Sequence, residues 1–437
     1  MAARAFDVVL YGATGFTGRL CAAYMAAHAP AGVRWAVAGR SAEKLARVVA
    51  EVTGGDAAAA ARVGVLTADA TSPASLRAMT AQARVVLSTV GPFILYGEPL
   101  VAACVDTGTD YVDSTGETDW VYAMTGKYGA AAKERKVALV SMCGFDSIPA
   151  DVGTLMVTTA AAARGVRVND VTAYVQVKAG TSGGTVASAL AKFDNPVRGA
   201  DLFNPTLLVP RGADLPAPAT LVEPTPPSFI PFWVPSLRKY AHFFFMSPVN
   251  VNVVRKSAAL AALAARAAVP GAAPYSESPF RYTEFQVTSS LLQAVVMTLG
   301  IALFAFLARF AAFRNFARRF LPAPGEGPSD TARAASFFRY TVVGRTEEAV
   351  PRTITAVVAG GDPGYTETSK MLCESAMCLA TQRDTLPLAR HGFGFLSPAA
   401  ALGPAIVDRL RAAGMTMTVD DSALGGTAPA AVPAPRL

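Results

Sequence analysis

Short apolar runs alternate with helical stretches over residues 1–150, and this alternation is typical of a parallel sheet wrapped by helices. The predicted strands begin near Phe6 and continue at residues 34–39, 62–66, 85–90, 111–114 and 137–142. The predicted helices between them include residues 19–27, 41–51 and 99–107. The pattern therefore predicts an N-terminal α/β domain over residues 1–150.

From residue 151 the pattern changes to an alternation of apolar and polar residues, which is typical of half-buried antiparallel strands. Strands are predicted at residues 171–177, 338–343 and 352–358, and covering helices at residues 185–192, 366–382 and 398–413. Prolines recur between residues 204 and 235, so that segment is predicted to be an extended connection. We expect a second α+β domain on a mixed or antiparallel sheet over residues 151–424, followed by a flexible tail at 425–437.

Three glycines join the first predicted strand to the first predicted helix. Their spacing lets the backbone turn tightly under a pyrophosphate, whose charge the free N–H groups of the helix then face. A glycine triplet between a strand and a helix is the context that distinguishes a nucleotide site from an ordinary turn. The sequence therefore predicts a nucleotide cofactor in a Rossmann-type domain. The expected contact residues are Gly12, Thr14, Gly15, Phe16, Thr17 and Gly18.

The second predicted strand is followed by Arg40, where a fold that prefers NAD usually carries an acidic residue. An arginine donates forked hydrogen bonds to a 2′-phosphate, and Ser41 can reach the same phosphate or cap the next helix. Asp69, after the third strand, is predicted to accept a hydrogen bond from the adenine amino group. NADP(H) is thus the predicted cofactor, and a solvated Arg40 is the alternative. The residues predicted to border the nicotinamide follow the fourth strand and are Ser88, Gly91 and Pro92.

The 437 residues are 52% hydrophobic and 16% charged, with a mean hydropathy of +0.34 and a net charge of +7. Such a chain can bury a large core, and its positive charge favours phosphorylated ligands or anionic lipid surfaces. Without basic runs or aromatic nucleic-acid motifs, we expect no nucleic-acid partner. Five scattered cysteines without a C-x-x-C pair, and three histidines, predict neither a disulfide framework nor a metal site.

Residues 291–308 form an apolar segment of eighteen residues without a charge, at the lower limit of a membrane-spanning length. A helix over the next residues, 309–320, suits the headgroup boundary of an anionic membrane. Three interpretations are open for the segment over 286–320: a membrane span, an anchor at a lipid surface, and a helix buried in protein or at a dimer interface. The arginines favour the lipid surface. On that second helix three phenylalanines share a face and two arginines point away from it: Phe313, Phe316, Phe320, Arg314 and Arg318.

Several motifs resemble those of the saccharopine dehydrogenase-like oxidoreductases, and the bacterial trans-acting enoyl reductases are closest in pattern. In the first domain the motifs lie at residues 12–18 (GATGFTG), 38–40, 88–93 (STVGPF), 111–117 (YVDSTGE) and 144–149 (GFDSIP). In the second domain they lie at residues 183–185, 320–329 (FLPAPGEGPS) and 362–365. The resemblance covers nearly the whole chain. It implies an NADP-binding Rossmann domain, a mixed second domain, and work on lipid-linked intermediates or association with lipid droplets.

The resemblance implies an enoyl reductase, in which the β-carbon of the substrate receives a hydride and the α-carbon then takes a proton. The developing enolate needs hydrogen-bond donors. Each candidate side chain also has a structural interpretation, since Asp146 and Ser147, for example, can form a turn and cap the next helix. The candidates for orienting or proton-donating roles are Ser88, Asp113, Ser114, Glu117, Asp146 and Ser147.

We expect an NADP(H)-dependent oxidoreductase that reduces a small-molecule or lipid-linked enoyl intermediate of lipid or glycolipid metabolism. Two alternatives are a non-catalytic NADP-binding lipid-surface protein and a soluble amino-acid dehydrogenase. The second would need clustered cations for a dicarboxylate, whereas Lys178, Lys192, Arg198 and Arg255 are dispersed.

The expected location is intracellular, at a membrane or lipid-droplet surface. Because the chain ends in Pro435-Arg436-Leu437, a peroxisome-type organelle is the alternative. A homodimer is also left open.

Overall fold

The computed structural model describes residues 4–179, 190–197, 200–201, 204–273, 275–320 and 327–425, the side chain of Phe320 excepted. Two of the resemblance motifs fall wholly or partly outside these ranges, at residues 183–185 and 320–329. Arg198, most of the helix predicted at 185–192, and the tail from residue 426, which includes Pro435, Arg436 and Leu437, also lie outside the described residues.

The strands lie in two sheets of seven. In chain order they are β1 (Phe6–Tyr11), β2 (Trp35–Gly39), β3 (Val63–Thr67), β4 (Ala83–Ser88), β5 (Asp110–Asp113), β6 (Ala138–Val140), β7 (Val168–Lys178), β8 (Phe232–Val234), β9 (Lys239–Phe243), β10 (Arg281–Thr288), β11 (Phe337–Thr346), β12 (Thr353–Gly360), β13 (Gly394–Leu396) and β14 (Thr416–Asp420).

The helices of the described residues pack on these sheets and connect their strands. They are α1 (Phe16–His28), α2 (Ala42–Val52), α3 (Ala57–Ala60), α4 (Pro73–Thr80), α5 (Phe93–Tyr96), α6 (Glu98–Thr107), α7 (Thr118–Glu134), α8 (Ile148–Ala163), α9 (Ser247–Arg266), α10 (Leu291–Leu307), α11 (Ala311–Ala317), α12 (Asp330–Ala334), α13 (Thr368–Gln382), α14 (Leu388–His391), α15 (Pro398–Leu402) and α16 (Pro404–Ala412). The helix predicted over 398–413 is interrupted at Gly403, whose φ of +57° separates α15 from α16.

The first sheet is parallel throughout, with the strand order β13-β6-β5-β4-β1-β2-β3. Its central strands β1 and β4 are almost wholly buried, as expected for a parallel sheet with helices on both faces. The predicted Rossmann-type parallel sheet is confirmed, and its strands lie within a few residues of their predicted positions.

Strand β13 corrects the predicted division of the chain, because its residues were assigned to the second domain. It pairs in parallel with β6 and extends the first sheet. Helix α13 also comes from the second half of the chain, and it packs on α1 and on β1, β4 and β5. The chain therefore returns to the first sheet after building most of the second.

The second sheet has the order β14-β12-β11-β7-β10-β9-β8 and is mixed. Strands β7 and β10 are parallel, while the other neighbouring pairs are antiparallel. Side chains of β11 alternate between buried and more exposed positions, and helix α8 packs on β11 and β12. The predicted second domain with a mixed sheet is confirmed.

The Pro-rich connection over residues 204–235 contains turns at 205–209 and 213–215 and a 3₁₀ turn at Pro218–Thr220, and strand β8 lies near its end. A single arginine on α9 holds it: the fully buried guanidinium of Arg255 donates to the carbonyls of Pro205 (3.1 Å), Thr225 (3.3 Å) and Tyr282 (3.1 Å). The carbonyls of the connection and of β10 are satisfied in this way. The two Nη atoms of Arg255 are therefore occupied by backbone, while its Nε has no hydrogen-bond partner among the described residues.

Helix α10 presents most of its apolar side chains to solvent, although one face packs on β9 and β10. Ala294 and Thr298 are its buried residues, whereas Leu292, Leu299 and Leu303 are 73%, 63% and 57% exposed. The interpretation of this segment as a helix buried within its own chain is therefore wrong.

No single helix among the described residues is long and apolar enough to cross a membrane. Helices α10 and α11 reach that length and composition only as a pair, and a bend of 115° separates them. The helix predicted over 309–320 is shorter than expected, since α11 is followed by a 3₁₀ turn at Arg318–Phe320.

The two arginines predicted to face lipid headgroups are instead bound within the chain. Arg314 is buried; its Nε pairs with Asp194 Oδ1 at 2.8 Å, and its Nη1 donates to the carbonyl of Ala308 at 2.9 Å. Arg318 pairs with the other oxygen of Asp194. These contacts anchor α11 and bury Arg314, while Arg318 stays exposed beside Asp194, so the predicted contact with lipid headgroups stays a prediction for Arg318.

Candidate functional site

A glycine loop joins β1 to α1 at the carboxyl edge of the first sheet. Gly12 has a φ of +96°, in the left-handed region that favours glycine, and its N–H donates to the carbonyl of Ala38 at 2.9 Å. The N–H of Gly15 donates back to the carbonyl of Gly12 at 3.0 Å. These bonds close a tight turn directly before the helix.

Two of the three glycines leave no room for a side chain. A Cβ on Gly18 would collide with the carbonyl oxygen of Gly12, and a Cβ on Gly12 would lie 2.7 Å from Thr89 Oγ1 and from Val90 Cγ2. Gly15 caps α1, so no side chain satisfies the first N–H groups of the helix. The loop is therefore a backbone cradle of the kind that holds a pyrophosphate.

Side chains from the second half of the chain pack against this loop. The ring of Phe16 meets the ring of Tyr365 edge to face at 4.7 Å, and the guanidinium of Arg333 lies 5.8 Å from the Phe16 ring centre. The carbonyl of Thr17 accepts a long hydrogen bond from Ser369 Oγ at 3.5 Å. Because the Phe16 ring is used in packing, its predicted cofactor contact is left to its backbone N–H. Thr14, earlier in the loop, is partly buried.

Arg40 is exposed at the end of β2 and forms no salt bridge with any described residue. Its charge acts on Tyr11 and Asp69, which mark the ends of the neighbouring strands β1 and β3. Burial raises the pKa of Tyr11 to about 12, and the Asp69 carboxylate adds to that rise. An exposed guanidinium without a protein partner is available for an anionic ligand group, as the predicted 2′-phosphate contact requires.

Ser41 and Asp69 both have local structural roles. Ser41 Oγ accepts from the N–H of Lys44 at 3.3 Å and so caps α2. Asp69 Oδ1 accepts from the N–H and from the Oγ1 of Thr71, each at 2.8 Å, and these bonds lower the pKa of Asp69. The Ser41 hydroxyl proton and Asp69 Oδ2 are not used in these bonds, so both predicted cofactor contacts are compatible with the structure.

The loop after β4 lies beside the glycine loop. Ser88 is buried at the end of β4, and its Oγ accepts a long hydrogen bond from the N–H of Val90 at 3.4 Å. Gly91 is exposed and Pro92 partly buried where the chain leads into α5. The structure therefore brings the three predicted nicotinamide-bordering residues to the same edge as the cradle.

Glu117 holds this loop in place. It is buried, and its two oxygens accept from the backbone N–H groups of Phe93 (3.0 Å) and Ile94 (2.7 Å) at the start of α5. The carboxylate thus ties the loop after β5 to the loop after β4. Both oxygens are occupied by this cap, which favours the structural interpretation of Glu117.

Asp113 is also occupied by hydrogen bonds. Its Oδ1 accepts from the N–H groups of Thr115 (3.0 Å) and Met142 (2.9 Å), and its Oδ2 accepts from Ser141 Oγ (3.1 Å). Burial raises its pKa to about 6, although the hydrogen bonds oppose that rise. Asp113 therefore links the end of β5 to the loop after β6. Ser114, the next residue, is partly exposed.

Asp146 differs from the other two candidate carboxylates, because its oxygens have no hydrogen-bond partner among the described residues. The carboxylate lies over Gly116, where an added Cβ would come within 3.1 Å of Oδ2. Burial raises the pKa of Asp146 to about 6, and the ammonium of Lys192 acts in the opposite direction. Its neighbour Ser147 is fully buried and donates to Asn250 Oδ1 at 3.3 Å.

Lys192 is a site residue that sequence reasoning did not find. Its Nζ donates to the carbonyl of Gly116 at 3.1 Å and lies 3.6 Å from Asp119 Oδ1. Residues 190–194 are helical and far from the first sheet in sequence. The only available signal was the nearby motif at residues 183–185.

A second buried network lies behind Ser147. Asn250 Nδ2 donates to Glu284 Oε1 at 3.0 Å and lies 3.4 Å from the Tyr340 hydroxyl. Glu284 Oε2 has no hydrogen-bond partner among the described residues, and burial raises the pKa of Glu284 to about 8. A groove that opens to solvent lies beside Glu284 and the Pro-rich connection. Sequence reasoning missed this network because it did not predict α9 or β10.

Metal and thiol chemistry have no support in the described residues. They contain no group of three or more His, Cys, Asp or Glu side chains that could hold a metal ion. All five cysteines are buried and unpaired. Burial raises the pKa of Cys143, beside the loop that carries Asp146, well above its ordinary value, so its thiol stays protonated.

Comparison with known proteins gives several relatives that match nearly the whole chain. A Mycobacterium tuberculosis protein whose name describes a trans-acting enoyl reductase is 37% identical, with 95% of this chain and 97% of that one covered. Trans-acting enoyl reductases of Mycobacterium bovis and Mycobacterium ulcerans are 34% and 32% identical, with 95% of this chain and 98% of theirs covered.

A family model matches the first sheet, and a solved structure matches the whole fold. The family model described as Saccharopine dehydrogenase NADP binding domain matches residues 8–140 and confirms the predicted NADP(H) cofactor. The structure of apo histidine-tagged saccharopine dehydrogenase (L-Glu forming) from Saccharomyces cerevisiae superposes with a TM-score of 0.51 at 13% identity. That match covers 94% of this chain and 99% of the yeast chain, and at this identity it shows the shared fold alone.

Proposed function

We propose that this chain, which belongs to the family of the trans-acting enoyl reductases, uses NADPH to reduce an enoyl group on a lipid-linked intermediate at a lipid surface. The chain is an NADP-dependent oxidoreductase with a saccharopine dehydrogenase-type cofactor domain. The observation that carries the enoyl substrate is the identity of 32–37% to trans-acting enoyl reductases over almost the full length of both chains.

The cofactor cradle supports the redox half of the proposal. The N–H groups at the start of α1 would hold the pyrophosphate, and Arg40 would bind the 2′-phosphate. Ser88, Gly91 and Pro92 would border the nicotinamide, which supplies a hydride when NADPH is bound. Glu117 keeps that border in place through the N–H groups of α5.

The exposed helix pair supports the lipid half of the proposal. Leu292, Leu299 and Leu303 lie seven and four residues apart on α10, so their exposed side chains share one apolar face of the helix. Arg309 and Arg319, at the two ends of α11, are exposed and form no salt bridge with the described residues. An apolar helix face next to free cations suits the interface of an anionic membrane or lipid droplet.

A soluble amino-acid dehydrogenase has less support. Binding a dicarboxylate needs several available cations, whereas Arg255 is used by three backbone carbonyls and Lys192 by Gly116 and Asp119. Lys178 ends β7 at an exposed position. The peroxisome-type location suggested by the last three residues stays a prediction.

The reaction is tested by following NADPH oxidation with trans-2-enoyl thioesters of coenzyme A that carry short, medium and long acyl chains. We expect NADPH consumption and a saturated product, confirmed by mass spectrometry. NADP⁺ reduction with saccharopine serves as the competing assay. NADPH binding without any turnover would favour the non-catalytic lipid-surface protein, and turnover of saccharopine alone would favour the amino-acid dehydrogenase.

The location is tested by flotation with vesicles of phosphatidylcholine alone and of phosphatidylcholine mixed with phosphatidylglycerol. We expect the chain to float with the anionic vesicles, and less with the neutral ones. A chain that stays in the lower fraction with both compositions, and that forms dimers in solution, would assign the helix pair to a contact between two copies.

A further inference from the structure

We propose that Asp146 is the catalytic residue that protonates the α-carbon of the substrate, and that Lys192 is a positioning residue beside it. The inference rests on the proposed enoyl reduction and identifies the proton donor that this reaction needs. It is carried by a contrast among the three candidate carboxylates at the cofactor edge.

The three carboxylates differ first in the hydrogen bonds that they accept. Asp113 accepts three hydrogen bonds and Glu117 accepts one on each oxygen, so both are committed to holding loops. Asp146 accepts none from the described residues. Asp146 is partly buried, and a carboxyl group without protein partners at the ligand-binding edge of a parallel sheet is available for chemistry.

Asp146 also differs from the other two carboxylates in its position. The loops after β4, β5 and β6 meet at the carboxyl edge, where ligands of parallel sheets bind. Glu117 ties the first two loops together, and the adjacent Gly116 lies beneath Asp146 Oδ2. A side chain on Gly116 would crowd that oxygen at 3.1 Å and would also meet Met246 Cε at 3.6 Å. The absence of a side chain at Gly116 therefore leaves the carboxyl group accessible within the site.

Lys192 fixes the electrostatic setting of this carboxyl group. Its Nζ contacts the carbonyl of Gly116 and the carboxylate of Asp119. Asp146 lies over the same glycine, so the ammonium is close to its carboxyl group. The ammonium opposes the rise in the Asp146 pKa that burial causes. The other titratable group facing Asp146 is Tyr340 on β11, whose own pKa is raised well above its ordinary value by burial, so it stays neutral.

The proposed step balances in atoms and electrons. The β-carbon of the enoyl group accepts the hydride that bound NADPH supplies, and the electron pair of the double bond moves to the α-carbon and carbonyl as an enolate. The α-carbon then takes the proton of the Asp146 carboxylic acid, which leaves an aspartate. Solvent returns a proton to Asp146 after the saturated product and NADP⁺ are formed.

Protonated Asp146 is the active form, which fixes the direction of the pH dependence. Its pKa of about 6 is above the ordinary value of 3.8, so the acid is populated up to about pH 6 and is lost as the pH rises further. The rate of the reductive step should therefore fall on the alkaline side. Removing the Lys192 charge should raise the Asp146 pKa and shift this fall to higher pH.

The experiment compares the full-length wild type with D146N, D146E and K192M, and uses D106N as a matched control. Asp106 is exposed near the end of α6, which leads into the start of β5 and so lies away from the carboxyl edge of the sheet. The probe is trans-2-butenoyl coenzyme A with NADPH, assayed between pH 5 and 9 and, separately, in D₂O. NADPH affinity by fluorescence and the carboxyl infrared titration of each protein provide readouts that do not depend on turnover.

We expect D146N to lower kcat at least about 100-fold, the range of general acid catalysis, with NADPH affinity unchanged. D146E should recover part of the rate, K192M should move the alkaline limb upward, and D106N should match wild type. Deuterium should enter one face of the α-carbon in wild type. The infrared carboxyl titration near pH 6, to which Asp113 also contributes, should lose the Asp146 component in D146N.

Two outcomes overturn the proposal, and they are distinguishable. If wild type turns over the probe and D146N keeps more than a tenth of the rate with the same isotope pattern, the proton comes from another donor. If wild type consumes no NADPH with any enoyl thioester, the proposed function fails, and the assignment of Asp146 fails with it.

Discussion

The cofactor edge of the first sheet and the helix pair on the second sheet differ in which groups the fold leaves without partners. At the cofactor edge, Asp113 and Glu117 are occupied by hydrogen bonds, while the N–H groups of α1, Arg40 and Asp146 are left free. At the helix pair the apolar side chains are left exposed. Arg314 and Arg318 are paired there, while the flanking Arg309 and Arg319 form no salt bridge with the described residues.

The difference shows what each region is able to bind. Unused polar groups in a partly buried loop suit an anionic cofactor and a polar reaction, because the fold has already removed water around them. Unused apolar groups on a helix suit a hydrocarbon surface. A reductase of lipid-linked substrates needs both kinds of surface in one chain.

The largest effect is expected from Gly18→Ala, which breaks the cofactor edge without touching the helix pair. The new Cβ would collide with the carbonyl oxygen of Gly12, and a backbone that must shift costs about 1–3 kcal/mol or more. We expect NADPH affinity to fall at least roughly 100-fold by fluorescence titration. Gly126→Ala is the matched control, because a Cβ on Gly126 in α7 meets no atom within 4 Å. Equal affinity in both variants would mean that the loop does not hold the cofactor.

The next effect should come from Leu292→Asp combined with Leu299→Asp, which breaks only the helix pair. Burying a leucine is worth roughly 1.5–3 kcal/mol, so losing two should weaken vesicle binding at least about 30-fold in a flotation or sedimentation assay. NADPH affinity should not change. The control is Val350→Asp combined with Val419→Asp, two exposed apolar positions away from α10. If the control variant loses vesicle binding to the same extent, any exposed apolar side chain supports binding and α10 is not a specific lipid-binding surface.

A smaller effect is expected from Arg40→Ala, which sharpens the assignment of the cofactor edge to NADPH. Hydrogen bonds to charged groups contribute roughly 1.5–3 kcal/mol, and the lower value applies at an exposed position. NADPH affinity should fall about tenfold while NADH affinity stays the same. Arg47→Ala, at an exposed surface pair with Glu43, is the control. Equal affinities of wild type for NADPH and NADH would contradict the role of Arg40.

The smallest effect concerns the buried network that lies behind the cofactor edge. The pKa of Glu284 is raised from 4.5 to about 8, so the folded state holds a proton that the unfolded state releases between these values. Stability contributed by the neutral acid is present below about pH 4.5 and is lost as the pH rises towards 8. Glu284→Gln should remove part of this loss, and its Tm relative to wild type should be roughly 2–4 °C higher at pH 8 than at pH 5.5. Glu134→Gln, on an exposed position of α7, should show no such difference.

The contrast between the two regions also explains what the sequence could predict. The glycine loop and Arg40 follow local rules of strand, turn and helix, so the NADP(H) site was predictable from residues close together in the chain. The lone apolar run of α10 was equally visible, but its exposure depends on packing against β9.

Groups brought together from distant parts of the chain were not predictable. Strand β13 pairs with β6 from more than two hundred residues away in the chain. A strand of three residues is too short to show a recognisable hydrophobic pattern. Lys192 contacts Gly116 from a helical segment whose sequence pattern does not indicate a contact with the first sheet. The division between Asp113, Glu117 and Asp146 also needed the structure, because only their hydrogen bonds distinguish a loop-holding carboxylate from a free one.

The most direct measurement is the rate of NADPH oxidation with a long-chain trans-2-enoyl thioester in anionic vesicles and with its short-chain soluble counterpart. Wild type and the Leu292→Asp, Leu299→Asp variant are compared on both substrates. We expect wild type to reduce both substrates, and we expect the variant to lose the vesicle-borne reaction and keep the soluble one. A wild type that reduces neither, or a variant that keeps both rates, would contradict the claim that the cofactor edge and the helix pair serve one reaction.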